Sequence, residues 1–75
     1  MVIEAKYKTK KDAADPHAKF TRTEYFESAA MPDKAEIVKE LTRMGKNFAE
    51  DTVSISEYDE DAEKLRSGGL RVTKI

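Results

Sequence analysis

The sequence predicts an α+β fold in the order ββαβ(α)β, a four-stranded, mainly antiparallel sheet with one main helix packed on one face. Three observations carry this. Ile37, Leu41, Met44 and Phe48 recur at spacings of four, three and four, which lines one face of an α-helix. Val2 to Thr9 and Thr52 to Tyr58 alternate apolar with polar residues, as half-buried strands do. A helix as short as the one predicted is marginal alone in water, so its apolar stripe needs a sheet to cover. At 75 residues the chain, 1–75, makes a single domain with one small core.

The first strand, Val2 to Thr9, puts Ile3, Ala5 and Tyr7 on one face and Glu4, Lys6 and Lys8 on the other. Lys10 to Lys19 is polar, carries Pro16 after Asp15 and reads as a loop; Ala13-Ala14 offers at most a short helical turn. Phe20 to Ser28 is rich in threonine and aromatics and reads as the second strand, with neither face clean. Ser28 to Met31 leads into the main helix, Pro32 to Phe48. Asp33 as N-cap and Glu36 three residues on match a capping box. Val38 widens the apolar stripe, and Lys34, Glu36, Lys39, Glu40 and Arg43 fall mostly on the opposite, solvated face. Gly45 suits the left-handed position just past a helix end, so the helix stops there and Phe48 packs from the following loop.

Thr52 to Tyr58 points Val53 and Ile55 inward and Ser54 and Ser56 outward. Asp59 to Ser67 reads as a short second helix with Asp59 as N-cap, acids in its first turn and Lys64 and Arg66 in its last. Gly68-Gly69 ends it, and Leu70 to Ile75 forms the last strand with Leu70 and Val72 inward. The predicted core is Ile3, Ala5, Tyr7, Phe26, Ile37, Leu41, Met44, Val53, Ile55, Leu65, Leu70 and Val72. That core is thin for a monomer, and a homodimer through an edge strand or the open sheet face would add to it.

The sequence holds no cysteine, so disulfides and thiolate metal sites are out, in keeping with a reducing, cytoplasmic setting. No apolar run approaches a membrane span, and MVIEAKYK lacks the layout of a signal peptide. No cofactor or metal is expected. His17 sits in the polar loop beside Pro16 without a nucleophile motif and reads as a solvent-exposed histidine. Gly68-Gly69 precedes a strand, whereas a phosphate cradle wants glycines before a helix N-terminus; the pair reads as a helix stop. With 15 carboxylates in the chain, acidic pairs arise without any catalytic meaning, and no enzyme is predicted.

Charge is the informative feature. Charged residues make up 39% of the chain while the net charge is −1, so the two signs are segregated locally. Glu50 to Glu63 holds seven acids and no base. Within it Glu57, Asp59, Glu60, Asp61 and Glu63 lack the glycine-centred calcium-loop pattern and read either as a solvated helix start or as a patch facing a basic partner. Lys6, Lys8, Lys10, Lys11, Lys19 and Arg22 gather in the first two strands and their loop, with Tyr7, Phe20 and Tyr25 among them. Lysines beside aromatics on a sheet can hold phosphates while bases stack, but a pI near 5.8 lies far below that of nucleic-acid modules.

The small size, absent cysteines, charge density and lack of a catalytic signature are similar in type to the small accessory proteins of phages and prophages. Some of those block host nucleases or defence complexes by binding. That similarity implies a stoichiometric inhibitor, anti-CRISPR-like in action, which would hold a larger protein partner through the acidic residues named above. The alternatives are a nucleic-acid-binding module using the basic hairpin and a homo-oligomeric structural or assembly protein.

Overall fold

The computed structural model describes residues 1–19 and 21–75. Phe20, read from the sequence as the first residue of the second strand, lies outside the described residues. The elements are β1 (Val2–Tyr7), α1 (Lys10–Ala14), β2 (Arg22–Glu27), α2 (Lys34–Arg43), a 3-10 turn (Glu50–Thr52), β3 (Ser54–Tyr58), α3 (Ala62–Ser67) and β4 (Val72–Lys74). They form the small α+β fold the sequence predicts, with α2 as the main helix.

The strand order is β3-β1-β2-β4. β1 runs antiparallel to both β2 and β3, while β2 and β4 are parallel, so the sheet is mixed. A parallel neighbour requires a long crossover, and the whole segment from α2 through α3 supplies it. β1 lies centrally and carries the most deeply buried strand sequence, with Ile3 and Ala5 fully buried and Val2 and Tyr7 nearly so.

α2 forms where local rules place it. Asp33 Oδ1 accepts from the Glu36 N–H at 2.9 Å, satisfying an otherwise unpaired helix donor. At the other end Gly45 takes φ +73°, the Gly45 N–H donates to the Thr42 carbonyl and the Lys46 N–H to the Leu41 carbonyl, each at 3.0 Å. This is a Schellman stop, and a side chain at Gly45 would be strained by the positive φ. Ile37 and Leu41 are fully buried against Ile3, Ala5, Tyr7, Phe26 and Val53. Met44, Phe48 and Ile55 pack around that cluster half-buried, Phe48 from the loop as the stop at Gly45 predicts.

Three expectations are corrected. Lys10 to Lys19 is not all loop, because Lys10–Ala14 is helical. α1 buries no residue, so it leaves no apolar period in the sequence; it is held by Thr9 Oγ1 accepting from the Asp12 N–H and by the Lys10 N–H donating to Asn47 Oδ1, both 3.2 Å. Pro16 disfavours the helical conformation at Asp15 and so helps end it. Second, α3 starts at Ala62 with Asp61 as its cap, not at Asp59. Tyr58 pairs with Val2 in the sheet and the Glu60 N–H donates to its carbonyl at 2.9 Å, which holds Asp59 and Glu60 in a turn. Third, Leu70 is 46% exposed. It follows Gly69, whose φ is +89°, and its N–H is tied to the Leu65 carbonyl in a second Schellman stop, so β4 begins only at Val72.

α3 also decides what covers the sheet's other face. Ala62 and Leu65 bury with Val2 and Val72 in a separate cluster, with Tyr25 and Tyr58 packed around it. Leu65 and Val72 therefore belong to this second cluster and not to the core under α2. Part of the face left without a helix in the sequence reading is thus occupied by the chain itself.

Candidate functional site

The acidic stretch is spread over four local structures. Glu50 and Asp51 lie on the 3-10 turn, Glu57 on β3, Asp59 and Glu60 on the turn after it, and Asp61 and Glu63 at the start of α3. The structure divides the five predicted partner-binding acids by what they already do. Asp61 Oδ1 accepts from the Glu63 N–H at 2.8 Å as the α3 cap. Glu60 Oε1 stands 3.3 Å from Lys64 Nζ one helical turn on. Glu57, Asp59 and Glu63 are exposed and make neither an ion pair nor a side-chain hydrogen bond among the described residues. β3 is an edge strand, so Glu57 and Asp59 stand along the sheet's margin.

The basic residues do not come together on one surface. Lys6 alternates with the buried Ala5 and Tyr7 and so faces the α3 side of the sheet, where its Nζ stands 3.6 Å from Glu4 Oε1. Arg22 pairs in register with Tyr7 and faces the α2 side. Lys8 Nζ donates to the Ala18 carbonyl at 3.4 Å. Lys10 and Lys11 ride on α1 and Lys19 is exposed before β2. Nor are the nearby tyrosines stacking platforms: Tyr7 is 3% exposed with Phe48 edge-on at 6.2 Å, and Tyr25 packs against Tyr58 at 5.1 Å. Phe20, the third aromatic of that reading, lies outside the described residues.

At the far end of the β1–β2 ladder lies a shallow hollow of about 520 Å³, lined by Tyr7, Arg22, Glu24, Lys46, Asn47 and neighbouring threonines. Lys46 and Asn47 reach it only because the chain turns back after Gly45, so their spacing from β2 hides them in sequence. Glu24 Oε1 at its wall takes Lys46 Nζ at 3.2 Å and the Tyr7 hydroxyl at 3.5 Å. The carboxylate and the ammonium neutralise each other, and no imidazole lies there: His17 is exposed in the turn after α1, its backbone N–H donating to Asp15 Oδ1 at 2.9 Å. Among the described residues no group of three or more histidines and acids is placed to hold a metal ion, and no helix is long and apolar enough to cross a membrane.

The two inward tyrosines carry the clearest electrostatic signature. Burial raises the Tyr7 hydroxyl above its ordinary value of 10.0, and the Glu24 charge adds to this. Tyr25 is raised by burial, then by Glu4, whose Oε2 accepts from its hydroxyl at 3.3 Å. Both shifts favour the neutral phenol in the folded state. Their stabilising contribution is complete below the unfolded value of about 10 and is lost as pH rises through the folded values. A phenolate absorbance titration should show Tyr7 and Tyr25 ionising late, with folding stability declining in the same alkaline window. Glu24→Gln should bring Tyr7 down toward 10.0; an unmoved curve would mean that Glu24 does not act on Tyr7.

No protein-family model matches this chain, and it matches neither a curated protein nor a solved structure. The functional reading therefore rests on the residues themselves.

Proposed function

We propose that the protein is a small binding module that acts stoichiometrically on a larger protein, docking its acidic margin against basic groups on that partner. One observation carries the reading: Glu57, Asp59 and Glu63 are exposed, close in sequence, and unengaged by any internal partner among the described residues. Elsewhere Asp33 and Asp61 are engaged in caps and Glu24 and Glu40 in ion pairs, while Glu36, Glu50 and Asp51 are likewise exposed without a side-chain partner among the described residues. An acidic margin of this kind steers association with a positively charged surface and needs no active site. Where that surface is a groove built for nucleic acid, occupying it inhibits the partner, which is how the protein would act as an inhibitor.

The test is capture of partners from bacterial lysate with the tagged protein, with and without nuclease, compared with the variant Glu57→Lys, Asp59→Lys, Glu63→Lys. Asp61 is left intact because it caps α3. A partner retained after nuclease and weakened at least about tenfold by the triple reversal is expected, since each lost ion pair contributes up to about 1 kcal/mol. The neutral set Glu57→Gln, Asp59→Asn, Glu63→Gln should weaken it less, in the same direction. Undiminished capture by both variants, or loss of every partner on nuclease treatment, would overturn the reading.

A further inference from the structure

The two edges of the sheet are unlike. β4 is three residues long, follows Arg71 and ends in Lys74, which is how an edge is protected against unwanted pairing. β3 is five residues long, has no lysine, proline or glycine, and among the described residues no strand lies beyond it.

The hydrogen-bond alternation shows which β3 backbone groups point outward. Met1 and Ser28 exchange both backbone bonds, at 2.7 and 3.0 Å, so Met1 and the odd-numbered residues of β1 aim at β2. Lys8 aims the opposite way: its carbonyl accepts from the Ala49 N–H and its N–H donates to Thr52 Oγ1, each at 2.9 Å. Val2, Glu4 and Lys6 therefore bond to their register partners Tyr58, Ser56 and Ser54. Ile55 and Glu57 are left with N–H and C=O groups directed away from the sheet.

We infer that the outer edge of β3 is a strand-addition site for an extended, lysine- or arginine-rich segment of a protein partner, which would become a fifth strand beside Ile55 and Glu57. The inference rests on the proposed binding role of Glu57 and Asp59 and names the form of the partner. Strand addition takes affinity from main-chain bonds and specificity from alternate side chains. Glu57 and Asp59 along the edge favour a basic segment, half-buried Ile55 offers an apolar contact, and the small exposed Ser54 and Ser56 leave room on the other face. A second copy of this chain fits poorly, because two β3 edges pair antiparallel across a two-fold axis and neither offers a basic residue opposite Glu57 or Asp59.

The probe is a labelled peptide alternating lysine with valine, alongside the same peptide N-methylated at every residue, which keeps the charge and removes the donors on both edges. Binding of the unmethylated peptide should slow amide exchange at Ile55 and Glu57 at least about tenfold, with Ser54 and Ser56 little changed. Methylation should weaken binding about tenfold, and Glu57→Lys about fivefold. Equal binding of the two peptides, with Glu57→Lys weakening both, would overturn strand addition while leaving the acidic binding role standing. Failure of both peptides to bind would also overturn it, and capture from lysate would still judge the binding role separately. Dimeric sedimentation of the protein alone, with Ile55 and Glu57 already protected, would give the edge to a second copy and overturn the inference.

Discussion

Phe26→Ala should destabilise the protein by about 3–5 kcal/mol, a large share of its total stability. Phe26 is fully buried and is the largest such side chain in the molecule's described core. It stands on β2 directly across from Ile3 and beside Thr73 of β4, in the cluster that α2 covers. Its loss removes the contacts that join β1, β2 and α2 at once. A buried Phe→Ala change costs about 3–5 kcal/mol, transfer and cavity together, while a chain of this length has a total stability of about 4–11 kcal/mol. Urea or thermal unfolding followed by circular dichroism reads the effect. Leu70→Ala is the control, since an exposed side chain away from such features changes stability by about 0.5 kcal/mol or less. A Phe26→Ala midpoint close to that of the control would mean that the core is not centred where the fold places it.

Leu41→Ala should destabilise by about 2–5 kcal/mol. Leu41 is fully buried on α2, one turn after Ile37, and the two side chains hold the helix on the sheet. Its carbonyl also receives the Lys46 N–H at the Schellman stop, a bond the substitution retains because it is made by the backbone. The loss therefore isolates side-chain packing between α2 and β1. Alanine also has the better helix propensity, so helix formation itself is not impaired and the whole effect is tertiary. Equilibrium denaturation gives the number directly. A loss below about 1 kcal/mol would show a site that collapses around the smaller side chain or a helix that is not firmly docked.

Much of the fold was legible because local rules and burial agreed. Asp33, the spacing of Ile37 and Leu41, and Gly45 set the limits of α2 within a short window, and Ile3, Ala5 and Tyr7 alternate as a sheet face requires. α1 was illegible for the opposite reason: it buries nothing and depends on Thr9 and on Asn47, far along the chain. The start of α3 was misplaced because Asp59 and Asp61 are equal candidates as caps by residue type. Only the pairing of Tyr58 with Val2 and the burial of Ala62 and Leu65 select Asp61. The candidate site was legible as a run of acids. Which acids are already engaged was not, because a cap at Asp61 and an ion pair at Glu60 depend on the register of α3.

By itself the sequence determined the α+β class, the main helix with its cap and stop, the alternating faces of the strands and the segregation of charge. Each of these depends on residues within a few positions of one another, where backbone geometry fixes neighbours directly. The tertiary structure alone decided the order β3-β1-β2-β4, the parallel pairing of β4, the covering of the second face by α3 and the exposure of Leu70. It also decided that β3, the strand bearing Glu57, stands at an edge. Pairing and edge position depend on contacts between distant segments, where many arrangements satisfy the same alternation and only the joint burial of both sheet faces selects one.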